Sequence, residues 1–151
     1  MTTLMRFGAA LLLCLSLSIG FTQPHSSAAA APEQPDKPVQ VFDVAAGRVV
    51  KTIPNDDEFQ SQAQSWLESV TGLAPQLQTD DSCSYVYRVP LKQPVNLSVQ
   101  ATALTADEIF LFYCQDKPPL LLIFDAQRRP NLLLFNADIA PFLKKVGIPA
   151  S

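Results

Sequence analysis

Leu120 to Phe135, LLLIFDAQRRPNLLLF, sets two almost unbroken apolar runs either side of a turn-like stretch. Short runs without alternation are the mark of strands buried on both faces, so the stretch predicts a hairpin whose two faces both need cover. Residues 39–54, VQVFDVAAGRVVKTIP, predict an earlier hairpin of the same grammar. Val39 and Val41, with Asp43, share one side of it, and Gln40, Phe42 and Val44 share the other. Ala45-Ala46-Gly47 closes the turn, with Gly47 at a positive-φ position. Phe124-Asp125 echoes Phe42-Asp43, and each Asp is expected to bond the amides of its own turn. Arg128 then takes the strained turn position that Gly47 fills in the first hairpin.

NDDEFQSQAQSWLESVTG, beginning at Asn55, predicts the long helix. Asn55 is its expected N-cap, Glu58 completes a capping-box-like start, Asp56 and Asp57 complement the helix dipole, and Gly72 ends it. Phe59, Ala63, Trp66, Leu67 and Val70 fall on one apolar stripe, so the helix lies on a sheet with Trp66 as an inward anchor. SYVYRVP alternates Tyr85, Tyr87 and Val89 against Val86 and Arg88, and VNLSVQ alternates Val95, Leu97 and Val99 against polar neighbours. EIFLFYC and LLLIF do not alternate and, with LLLF, are expected to be central strands or to contribute to a second buried surface. In the tail, Asp138 is the expected N-cap of a short helix with Pro141 in its first turn and Ile139, Phe142, Leu143 and Val146 on its stripe.

The pattern predicts an α+β fold in the order β-β-α-β-β-β-β-α, an antiparallel sheet of about five to six strands packed by one long and one short helix. Whether the helices share a face is open at this level. If they do, either Leu121 and Ile123 or Leu120, Leu122 and Phe124 stay uncovered, and a patch of that kind marks a partner or ligand surface.

The N-terminus changes the picture of compartment. A single charge, Arg6, precedes an apolar run from Phe7 to Phe21 and small residues from Ser26 to Ala31, the arrangement of a signal peptide over residues 1–30. The run falls short of the roughly 20 residues a membrane span needs, so export with cleavage is expected, a retained signal anchor being the alternative and the only predicted link to a membrane. Residues 31–38 form a proline-rich linker, and 39–148 a single domain. Without Arg6 the chain carries ten basic and fourteen acidic side chains, a net charge of −4, which excludes nucleic acid as an expected partner.

Two cysteines survive such processing, Cys83 and Cys114. A disulfide and a pair of small buried hydrophobes are both open. In a simple meander the two would lie on the order of 20 Å apart at strand rise, so a bond requires SYVYRV and EIFLFY to run antiparallel and the 91–106 segment not to be one full strand.

The mature chain has no histidine, no glycine-rich phosphate loop and no zinc-like spacing. The usual general base, the Ser-His and Cys-His pairs and nearly every transition-metal site are thereby missing, and no cofactor or metal is expected. A hydrolase would have to rely on carboxylates, Asp80-Asp81 or Asp107-Glu108. No catalytic residue is assigned. Tyr85, Tyr87 and Arg88 are the candidate recognition strip, with Arg128 and Arg129 at a hairpin tip placed to meet an anionic group. An apolar-ligand pocket around Trp66, Phe110, Phe112 and Phe124 is the alternative.

VFDVAAGRVVKTIPN, WLESVTGL, RVPLKQPV and LLLIFD together resemble a group of small exported proteins from Gram-positive spore-forming bacteria, over about residues 39 to 148. The resemblance implies export and a non-enzymatic or unassigned role and transfers no functional residue. The helix-on-sheet order is also loosely similar to cystatin-like inhibitors and peptidase-propeptide-type domains, without the inhibitory loop motif of the former. The expected function is therefore an exported binding module at the cell envelope or beyond it, through a protein partner or self-association, with a ligand carrier and a protease-inhibitor-like domain as alternatives.

Overall fold

A computed structural model describes residues 36–75, 83–114 and 117–148. The predicted leader and most of the predicted linker lie outside the described residues, as do Asp80 and Asp81. The order is β1 (Val39–Asp43), β2 (Arg48–Ile53), α1 (Asp57–Glu68), β3 (Val70–Leu73), β4 (Cys83–Val99), β5 (Thr102–Cys114), β6 (Leu120–Phe124), β7 (Pro130–Phe135) and α2 (Ala140–Val146). The strands make one open antiparallel sheet in the order β2-β1-β4-β5-β6-β7-β3. The α+β class is as expected, but the strands number seven rather than five to six.

Two local decisions set the observed elements apart from the expected ones. VNLSVQ is no separate strand: it continues SYVYRVP into β4, which pairs with β5 as one long hairpin broken by a register shift between Pro90 and Val95. Cys83 and Cys114 thereby face each other across the hairpin base and are bonded, the antiparallel arrangement that a disulfide required. The second decision follows α1, which ends at Ser69. Gly72, expected to stop the helix, instead sits within β3 beside β7, with Val70 in the same strand.

The caps also shift by one residue. Asp56, with extended backbone, caps α1 by accepting from the Phe59 amide at 3.0 Å. Asn55 is buried instead, donating to the carbonyls of Lys37 and Pro90 and accepting from Gln60 Nε2 at 2.7 Å. Gln60 also accepts from the Lys92 amide, so the start of α1 is tied to the bend in β4. At α2 the cap position belongs to Ile139 without a side-chain bond, while Asp138 accepts from the Ala140 amide.

Both helices cover the same face of the sheet. Phe142 of α2 lies edge-on to Phe59 and Trp66 of α1 and to Tyr87 of β4, at centroid distances of 5.5, 4.8 and 5.3 Å. The distal half of the β4–β5 hairpin supplies the rest of the cover. Beyond the bend, Val99, Leu104 and Ala106 join the same buried core. At its tip, the Gln100 side chain comes within 3.2 Å of where a Cβ on Gly72 would stand. The tip of the hairpin thus reaches β3.

Candidate functional site

The strand registers assign the regularly paired side chains of the sheet to a face. One row, Val41, Tyr87, Leu111, Leu121 and Leu133, runs across five strands and is almost wholly buried under the helices. The alternate positions form two rows on the other face. Val49, Phe42, Val86, Phe112 and Leu120 make the first. Gln40, Arg88, Phe110, Leu122 and Leu132 make the second. Phe124, edge-on to Phe110 at 5.7 Å, and Leu134 extend the surface. Neither helix covers it. Phe42, Val49, Phe124 and Leu134 keep between 37% and 43% of their surface in water, unusual exposure for apolar groups gathered on one face. Leu121 and Ile123 therefore point to the core, and Leu120, Leu122 and Phe124 are the uncovered set.

Polar groups on this face answer one another. Arg88 Nη2 lies 2.6 Å from Glu108 Oε2, Nε donates to the same oxygen, and Nη1 donates to Gln40 Oε1 at 2.9 Å. This cluster interrupts the apolar rows near the β4–β5 bend without leaving a net charge. Beside it a mixed polar cleft of about 630 Å³ opens between Lys92, Arg88, Glu108, Phe124 and Arg128. A second cleft, about 440 Å³, separates the β6–β7 turn from the distal β5 strand.

The predicted recognition strip is split by strand alternation. Tyr87 is buried in the core, where the loss of water pushes its phenol well above the usual range, and Tyr85 packs half-buried beside it at 6.2 Å. Arg88 faces the opposite side. Arg128 and Arg129 share the β6–β7 turn, but Arg129 Nε is bound to Asp125 Oδ2 at 2.7 Å while Arg128 holds φ 63°. The apolar-pocket set is likewise divided: Trp66 belongs to the core, whereas Phe110, Phe112 and Phe124 belong to the open face. Of the carboxylate candidates, Glu108 is engaged by Arg88 and Asp107 is exposed beside it. Among the described residues no group of three or more His, Cys, Asp or Glu side chains could hold a metal ion, and no helix is long and apolar enough to cross a membrane.

What the sequence reading lacked was the register. Phe42, Val86 and Leu132 attracted no functional notice because each is an ordinary strand residue alone; only pairing partners place them in one surface. No protein-family model, curated protein or solved structure matches the chain.

Proposed function

We propose that the protein is an exported, non-enzymatic binding module that works by protein contact through the open face of its sheet. The observation that carries this reading is the apolar surface built by Phe42, Val86, Phe112, Leu122 and Phe124, half-buried to exposed on the face that neither helix covers. A bare face of this kind is stable in water only at a free-energy cost that a partner removes. The disulfide supports an oxidising compartment. The polar lining of both clefts favours a contact surface over an apolar-ligand carrier.

The test is site-specific photocrosslinking in cells that export the chain. A photoreactive residue at Leu122 should give a protein adduct, and one at Ser61, exposed on α1, should give none. Equal yields from both positions, or no adduct from Leu122, would remove the open face as the working surface.

A further inference from the structure

We infer that the partner closing the open face is a second copy of this chain, paired face to face about a two-fold axis over β5. This rests on the reading of that face as the contact surface and adds the identity of what covers it.

Shape comes first. The face is the back of an extended sheet, and the clefts lie at one end of it and are polar. Such a surface is matched by another sheet face stacked about 10 Å away, as in a β-sandwich. A copy of the chain presents that counterpart with the same twist and the same row spacing.

Size comes second. The two rows span six of the seven strands, which at about 4.8 Å spacing and about five residues along each strand give ~500 Å² of projected surface before side-chain relief is added. Stable interfaces bury ~600–1,000 Å² per partner, so side-chain relief and the rim bring this face to the lower end of that range. β5 is the middle strand of the seven, so an axis over it puts Phe110 and Phe112 of both copies at the centre. Phe42 and Leu134 then meet the partner nearer the rim.

Charge comes third. Two chains of net negative charge should repel, and a contact that buries unpaired charge is strongly disfavoured. The open face avoids both problems, because Arg88 and Glu108 neutralise each other and Gln40 takes a remaining guanidinium donor. Two identical faces therefore meet without bringing like charges together.

The competing mode is edge pairing through β2, whose residues Arg48 to Thr52 are all exposed. Sedimentation equilibrium separates the two. The full chain, recovered as its exporting host processes it, should be dimeric at micromolar concentration. Leu122→Lys, beside the centre, should weaken the dimer by at least ~30-fold, and Phe42→Lys, nearer the rim, by about 5-fold. Val50→Lys, on the β2 edge, should leave it intact. Phe42 is exposed enough that its variant folds even if Leu122→Lys does not, and circular dichroism checks both. A wild-type monomer at ~100 µM overturns the inference, and so does a dimer that only Val50→Lys breaks. A monomer whose Leu122 photoadduct contains a different protein refutes the second copy yet keeps the contact surface; a monomer with no adduct refutes both.

Discussion

At the β6–β7 turn a single residue carries strain that its counterpart in the first hairpin avoids. Gly47 and Arg128 both adopt φ 63°, a left-handed conformation that costs a residue with a Cβ roughly 1 kcal/mol or more. Asp125 makes the strain tolerable: its Oδ1 accepts from the amides of Gln127 and Arg129, and its own amide and carbonyl close the turn onto Arg129 and Arg128. Asp43 does the lighter version of the same work, accepting from the Ala46 amide at 2.8 Å. Arg128→Gly is therefore expected to stabilise the fold by about 0.5–1 kcal/mol, strain relief outweighing the added freedom of the unfolded chain. A urea titration checks it, and a loss of stability would show that the Arg128 side chain contributes more than its backbone costs. This turn was legible in the sequence, because the two hairpins share spacing and the short polar side chain needed at each.

Between adjacent residues of one strand, the sheet draws its sharpest distinction. Leu121 is fully buried beneath the helices and Leu122 is half-buried on the open face. Leu121→Ala should cost about 3 kcal/mol through transfer and cavity effects, whereas Leu122→Ala should cost about 1 kcal/mol or less. Denaturation of chain dilute enough to be monomeric measures both, and equal losses would mean that the second face is covered within one chain. The unbroken LLLIF run could not reveal this difference, since a strand of leucines has no polar side to mark water. The stripe of α1 was legible because Phe59, Ala63, Trp66 and Leu67 recur at helical spacing, and all four are buried. The β4–β5 bend was not. It depends on Asn55 and Gln60 holding Pro90 and Lys92, contacts between residues 30 or more positions apart that look like ordinary helix-start polarity in sequence. The open face was legible only as a conditional, because it required knowing that both helices choose the same side.

Across the whole molecule, the one-sided cover is tied down by carboxylates, and that fixes how the fold should respond to acid. Lys145 of α2 reaches Asp56 at 2.7 Å and also Glu58, joining the two helices at the start of α1, while its ammonium lies 4.7 Å from the Phe59 ring centroid. The hydrogen bond from Lys145, followed by that from the Phe59 amide, holds the Asp56 carboxyl below its ordinary 3.8. At the far turn, the Arg129 amide and then its guanidinium hold Asp125 below the same value. A carboxyl whose folded pKa is depressed stabilises the fold fully above its unfolded pKa and loses that contribution as pH falls through the folded value. Lys145 is raised by the same partners, so its contribution is complete below 10.5 and disappears only in strong alkali. The urea midpoint should thus be flat through neutral pH and fall as pH drops from 4 toward 2. Asp125→Asn supplies the control. An amide keeps the turn acceptor but carries no charge, much as the protonated acid does, so the variant should be less stable than wild type at pH 7. That gap should narrow below pH 3.8 and close near pH 2. If the gap instead stays constant at every pH, the charge on Asp125 contributes nothing. The acid limb would then have to be assigned to the helix latch at Asp56, where Lys145→Met tests it by the same titration.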